Sequence, residues 1–362
     1  MDRANYELAW YLADEVKAEV HLVSYFVASP LAEHPQITWH KVAKPFDMYL
    51  LAEPLLDRAG RRVARELSNR GAHVLVNGGN CDWGDANWVH YVHAAYRPPH
   101  AGGPLRALKN KFAHRTFLKN EKTSLKHARV IVANSERTRQ DIIKNVGVAP
   151  ARVHTIYYGI DRKEFHPTSE DESARAKLNL KWTAGHAVVA FIGALGDRRK
   201  GFDQLFAAWE SLCADEDWDV DLAVIGTGSE LPAWKARAVS SNLEQRIHFM
   251  GFRKDVPAIL AACDALVAPT RYEAYGLGVH EALCRGLPSL VSRTAGVAEC
   301  YPPELADLLL DDPPKSQDIA QRLRRWRADM NGYHARVARF SEVLRQRSWT
   351  DMAREIVEKI TA

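Results

Sequence analysis

The chain has 362 residues, 46% of them hydrophobic and 26% charged, with a net charge of +4. That bulk supports two domains with their own cores; no apolar run is long enough to span a bilayer, and Met1-Asp2-Arg3-Ala4-Asn5 lacks the apolar centre of a secretory signal. The five cysteines, Cys81, Cys213, Cys263, Cys284 and Cys300, have neither paired nor metal-like spacing and read as reduced, buried thiols of a cytosolic protein.

In chain order, short β-branched runs alternate with longer helical ones. Asn5–Glu15 reads as a helix at the very start, where an α/β half ordinarily opens with a strand and a glycine-rich turn. The expectation is that this first strand is missing from the sequence. Strands are then expected at Val20–Val27, His73–Asn77, Trp88–His93, Val130–Ala133 and Val153–Tyr157, with helices at Leu55–Arg70 and Ser135–Asn145. Between Arg106 and Arg129 stand eight cations (Arg106, Lys109, Lys111, Arg115, Lys119, Lys122, Lys126, Arg129) against one acid, Glu121. The interleaved Leu105, Leu108, Phe112, Phe117, Leu118 and Leu125 suggest an amphipathic helix, either simply solvated or facing an anionic membrane. Nucleic acid is the least favoured partner, because no recognition module accompanies the patch.

Phe165-His166-Pro167-Thr168 and the polar run up to Glu172 read as a linker. A second series then starts afresh. It has strands at Ala187–Ile192, Asp221–Ile225, Ile247–Met250, Ala265–Ala268 and Ser289–Ser292. Its helices are Gly201–Leu212, Leu231–Ser240, Pro257–Ala262 and Gly278–Cys284. Such alternation implies an α/β protein with parallel sheets covered by helices on both faces. Two Rossmann-like halves leave a cleft between them, and open α/β sheets bind ligands at the carboxyl ends of their strands.

Two strand ends in the second half carry chemistry. After Ala265–Ala268, a loop holding Glu273 turns through Tyr275, Gly276, Leu277 and Gly278 into a helix that carries Glu281 and stops at Gly286. Its glycines admit close backbone approach, and the helix N-terminus suits a diphosphate. After Ala187–Ile192, Gly193-Ala194-Leu195-Gly196-Asp197 leads into three consecutive cations, Arg198, Arg199 and Lys200. Cations placed there stabilise the growing charge of a departing phosphate. The plain alternative for both segments is a solvated charged turn.

The run Ala187–Glu299 resembles the C-terminal domain of retaining family-4 glycosyltransferases with the GT-B fold. Supporting stretches are Leu222–Gly228, His248–Phe252 and Ala295-Gly296-Val297-Ala298-Glu299. In the first half, Val130–Ser135 and Tyr158–Asp161 through Pro167 look like that family's closing strands and linker. The resemblance implies two Rossmann-like domains facing across a cleft: an acceptor-side domain over 1–165, a nucleotide-sugar domain over 166–345, and a last helix over 346–362 that returns to the first domain. It implies that Glu273 contacts the donor sugar, Glu281 the ribose, and Lys200 with Arg199 the diphosphate. Gly193 and the backbone around Tyr275, Gly276 and Leu277 would line the phosphates, with Phe252 and Arg253 near the base. His93 would reach the sugar from the acceptor side, with His90 as the fallback.

The implied reaction is retaining, metal-independent hexosyl transfer from a nucleotide sugar to a glycan, lipid-linked or small-molecule acceptor, as in polysaccharide biosynthesis, with no cofactor. The implied location is cytoplasmic, or peripheral at the inner membrane face. One departure is Ala194, where the family usually has arginine; Arg198 or Arg199 would have to supply its charge. That departure and the expected absence of the first strand keep open a non-catalytic module that binds a nucleotide or a partner; a sugar-nucleotide epimerase, which can share the architecture, is a further alternative.

Overall fold

Runs of small and β-branched apolar residues become strands here because turn formers bound each one and a helix follows to cover it. The computed structural model describes residues 2–97, 104–180, 182, 185–196 and 198–362, without the side chains of residues 2, 47, 50 and 104–107. Asp197 and the Leu105 and Arg106 side chains therefore lie outside the described residues. The strands are β1 (Val20–Ser24), β2 (Ile37–Lys41), β3 (Leu75–Asn77), β4 (Ala86–Val89), β5 (Val130–Ala133), β6 (Val153–Thr155), β7 (Ala187–Ile192), β8 (Val220–Ile225), β9 (Ile247–Gly251), β10 (Ala265–Ala268), β11 (Ser289–Ser292) and β12 (Leu309–Leu310). The helices are α1 (Asp2–Trp10), α2 (Ser29–Ala32), α3 (Tyr49–Ser68), α4 (Pro104–His127), α5 (Glu136–Asp141), α6 (Glu170–Leu180), α7 (Phe202–Leu212), α8 (Leu231–Ser240), α9 (Val256–Ala261), α10 (Leu277–Cys284), α11 (Ser316–Ala328), α12 (Met330–Leu344) and α13 (Trp349–Thr361).

The chain divides into two compact units: Met1–Gly159 with Arg347–Ala362, and Ile160–Gln346. The division precedes the expected Phe165–His166 boundary because Ile160 and Phe165 are buried with Cys284 and Leu344 of the second unit. The stretch read as linker is part of that unit as well; α6 begins inside it, at Glu170. Glu170, Asp171 and Glu172 occupy its first turn, where acids favour the helix dipole.

In the first unit, β3-β4-β5-β6 form one parallel sheet and β1-β2 a separate parallel pair. Val89 and Ile131 of the four-stranded sheet pack with Val92, Leu125 and Ile142, while Ala9, Ala13, Leu31 and Ile37 make a smaller core at the pair. The C-terminal helix α13 packs on α1 and β5, opening with a capping box in which Ser348 and Asp351 satisfy each other's backbone N–H. The expected amphipathic stripe on α4 does not form: Leu108 and Phe112 are exposed, while Leu125 is buried. No helix among the described residues is long and apolar enough to cross a membrane.

In the second unit, β12-β11-β10-β7-β8-β9 form one parallel sheet. β8, β10 and β11 are buried throughout, and β7 at all but its last residue, in a single core that reaches from Val188 to Phe340. The five cysteines are free; Cys81, Cys263 and Cys284 are buried as expected, while Cys213 and Cys300 are only half-buried.

Candidate active site

β7 and β10 are neighbours, with Val189 opposite Ala265 and Ala190 opposite Leu266. In a parallel sheet, the loops that leave two adjacent strands emerge side by side. The turn into α7 closes at Gly201, which sits at φ +71°. A Cβ built there would lie 1.7 Å from the Pro269 carbonyl oxygen, so only glycine lets the two loops touch. Arg271 then fastens them: its N–H donates to the Arg199 carbonyl at 2.8 Å, and its guanidinium grips Asp203 of α7 with two bonds of 2.6 Å.

This contact brings the cations to the acid. The Lys200 ammonium donates to Glu273 Oε2, and an Arg199 guanidinium nitrogen lies 3.7 Å from the same oxygen. The Lys200 stem rests on Gly193, where a Cβ would come within 2.9 Å of Lys200 Cγ. Arg199 also donates to the Tyr272 carbonyl at 3.3 Å. Glu273 is only 14% exposed. Burial pushes its carboxyl up, but the Lys200 and Arg199 charges and the Lys200 hydrogen bond outweigh it and hold the carboxyl below the usual glutamate range. Glu273 is therefore a carboxylate at neutral pH, flanked by two cations.

The segment after β11 closes the Glu273 loop from the far side. Gly296 N–H donates to the Glu273 carbonyl at 3.2 Å, and Val297 N–H to the Tyr275 carbonyl at 2.7 Å. Gly276, at φ +108°, turns the loop into α10 with Val297 packed against it. Tyr275 is buried, its hydroxyl 2.7 Å from His280 Nδ1. Leu277 opens α10, whose first amides have no partner within the helix. Glu281, the fifth helical residue, is half-buried on the same element.

The remaining expected residues lie apart from this group. Phe252 and Arg253 follow β9, two strands from β7; Phe252 is exposed, and Arg253 is paired with Asp255 at 2.8 and 2.5 Å. Arg198 is mostly exposed and lies 3.6 Å from Glu230. Of the two candidates to supply the charge missing at Ala194, Arg199 is thus the one beside Glu273.

His93 belongs to the first unit, and it is not on a strand. β4 ends at Val89, and His93 opens a 3-10 turn, His93–Ala95. The buried Glu121 carboxylate draws the chain out of the sheet there, accepting from His93 N–H at 2.7 Å and Ala94 N–H at 3.0 Å. His90 has both ring nitrogens engaged, by the Tyr158 hydroxyl and by Asn77 Oδ1 at 2.8 Å, and burial holds its imidazole well below the usual histidine range. Sequence reasoning missed Arg271, Asp203 and Glu121, because a lone charged residue reads as solvated. What joins the first two is the pairing of the β7 and β10 loops, which is set by strand order and leaves no local signal in the sequence.

Comparisons with known proteins agree on both units. Residues 186–329 match the family described as glycosyl transferases group 1, and residues 1–164 match glycosyltransferase family 4. A 2-deoxystreptamine glucosyltransferase of Streptomyces kanamyceticus is 26% identical over 234 residues, 59% of each chain. The lipopolysaccharide core biosynthesis mannosyltransferase LpsB of Rhizobium meliloti is 31% identical over 150 residues, 40% of this chain and 41% of LpsB. The chain spans about half the length of the curated relatives it matches. Among solved structures, WaaG, a glycosyltransferase involved in lipopolysaccharide biosynthesis, superposes with a TM-score of 0.75 at 18% identity, covering 99% of this chain and 95% of WaaG. Anabaena HepE in complex with UDP-glucose gives 0.74 at 18% identity, with the same coverage. These likenesses establish the fold, an α/β GT-B architecture of two Rossmann-like domains.

Proposed function

Because this chain belongs to family 4 of the glycosyltransferases, the group 1 enzymes, we propose that it moves a hexosyl unit from a nucleotide sugar to a glycan, lipid-linked or small-molecule acceptor, with retention and without a metal. The observation that carries this reading is the Lys200–Glu273–Arg199 cluster at the carboxyl ends of adjacent strands, beside the N-terminus of α10.

A nucleoside diphosphate gains negative charge as the glycosidic bond breaks, while the sugar carbon it leaves turns positive. Lys200 and Arg199 stabilise the first charge and the Glu273 carboxylate the second. The amides around Tyr275, Gly276 and Leu277 cradle the distal phosphate with help from the helix dipole. Glu281 holds the ribose hydroxyls, Phe252 and Arg253 lie along the base, and His93 reaches the sugar from the acceptor side. Arg199 also supplies the charge missing at Ala194.

The donor is tested by thermal shift against UDP-, GDP- and ADP-sugars, since a selective ligand stabilises by mass action. The selected donor should then release nucleoside diphosphate slowly without acceptor. Binding without release would leave a non-catalytic module; a converted sugar nucleotide with no free diphosphate would indicate an epimerase.

The exposed cations and exposed Leu108 and Phe112 of α4 also support peripheral contact with an anionic membrane. Sedimentation with anionic vesicles should be measurable and should weaken with added salt. Equal binding to neutral vesicles, or none, would leave α4 a solvated helix.

A further inference from the structure

Glu121 is the one acid in the basic run from Arg106 to Arg129, and it is also the buried one, at 2% exposure. A carboxylate loses much hydration energy on burial and persists there only with donors around it. Glu121 has three, all from one short segment. Oε1 accepts from His93 N–H at 2.7 Å and lies 3.2 Å from His93 Nδ1, while Oε2 accepts from Ala94 N–H at 3.0 Å. The carboxylate thus caps the 3-10 turn and holds the ring that the turn presents.

The surroundings fix the acid. Gly79 packs on the α4 backbone so closely that a Cβ there would lie 2.8 Å from the Glu121 nitrogen. Phe117, one turn earlier on α4, lies against the His93 ring at 5.3 Å between centroids, and Tyr91 meets that ring edge-on at 4.9 Å. Glu53 of α3 and His114 of α4 are titratable groups near enough to feel a charge on His93. The ring itself stays 37% exposed.

We propose that Glu121 is the positioning residue of the acceptor-side histidine. It holds Nδ1 protonated, and so fixes the tautomer and leaves Nε2 as the nitrogen available to a ligand. The proposal rests on the reading of His93 as the group that reaches the sugar. It explains why an acid stands in a helix otherwise selected for positive charge.

The test compares Glu121→Gln, His93→Ala and the double variant in the full chain. An amide offers one acceptor oxygen where the carboxylate offers two, so three N–H donors compete for it and the ring loses its hold. Nitrogen NMR of histidine-labelled protein needs no substrate. In the parent, neutral His93 should carry its proton on Nδ1; in Glu121→Gln it should move mainly to Nε2, with the other histidines unmoved. With UDP-glucose as probe, release of UDP should fall by on the order of tenfold to a hundredfold in Glu121→Gln, while the donor concentration for half-maximal rate changes less than about twofold. The double variant should be no slower than His93→Ala alone, because both changes remove one function.

An unmoved tautomer overturns the proposal. So does a double variant whose losses multiply, which would make Glu121 a structural cap only. Parental release by Glu121→Gln beside a slow His93→Ala overturns it while leaving the role of His93 intact. Parental release by His93→Ala overturns the role of His93, and this proposal with it.

Discussion

The two units solve the same folding problem with unequal success. In the second, one six-stranded sheet leaves only β12 and β9 as edges; in the first, the split into a pair and a sheet of four makes edges of β1, β2, β3 and β6. Strand composition follows this difference. β7 reads Ala-Val-Val-Ala-Phe-Ile, and a strand buried on both faces wants such a continuous apolar run. β1 and β2 read Val-His-Leu-Val-Ser and Ile-Thr-Trp-His-Lys, with mostly half-exposed residues and an unpaired edge on each outer side. A parallel ladder is well buried only where neighbours flank it and helices cover it. The ion-pair cluster proposed as the donor site, Lys200, Arg199 and Glu273, stands on the continuous sheet.

The same truncation should therefore cost very differently in the two units. Leu266→Ala in buried β10 should destabilise its unit by about 3 kcal/mol, and Leu22→Ala in half-exposed β1 by about 1 kcal/mol. Each is read from the denaturant midpoint of the corresponding transition. Equal costs would mean that β1–β2 is as well packed as the large sheet.

A second expectation separates the continuous sheet from the chemistry it holds. Glu273→Gln should leave that unit folded, though less stable for losing its pair with Lys200 and Arg199, and should slow donor turnover by on the order of a hundredfold. Lys200→Ala should likewise act on turnover, and Glu281→Ala on donor affinity. Parental turnover by Glu273→Gln would remove Glu273 from the mechanism.

The smallest effect concerns acid. His21 Nδ1 lies 2.9 Å from His40 Nε2 across the β1–β2 pair, with Glu19 on His21 and with Arg62 and Glu66 near His40. Burial, then His21, lowers the His40 imidazole below its usual range. The unfolded chain therefore binds more protons than the native one as pH falls below about 6.5, so this pair's contribution is present above that pH and lost beneath it. Protection of the amides along Val20–Ser24, taken relative to the intrinsic exchange rate at each pH, should fall selectively on acidification, and His40→Asn should abolish that fall. A uniform loss of protection in both units would show that the pair does not respond on its own.

Much of this was readable beforehand, and unevenly. Val130–Ala133, Ala187–Ile192, Ala265–Ala268, Ser289–Ser292 and Leu231–Ser240 coincide with observed elements to the residue, because each is bounded by turn or polar residues. β2 was missed because Trp39, His40 and Lys41 break its apolar pattern, and the start of the helix after the linker was set too late because the acidic first turn of α6 resembles a linker. The adjacency of the Lys200 and Glu273 loops follows from strand order, which local sequence does not contain. Glu121 was invisible for another reason: whether one acid among cations faces water or the core depends on a turn 28 residues away.

The Lys200–Glu273 contact has one more consequence. Lys200 already has an internal anion, so on the proposed donor-site reading an incoming phosphate meets a charge that is spoken for and must trade places with a carboxylate. A small free anion has only its own charge to offer in that exchange, whereas a nucleotide sugar brings a base, a ribose and a hexose that bind elsewhere. If Lys200 binds the donor diphosphate as proposed, inorganic phosphate should compete with the donor far more weakly than a nucleoside diphosphate does.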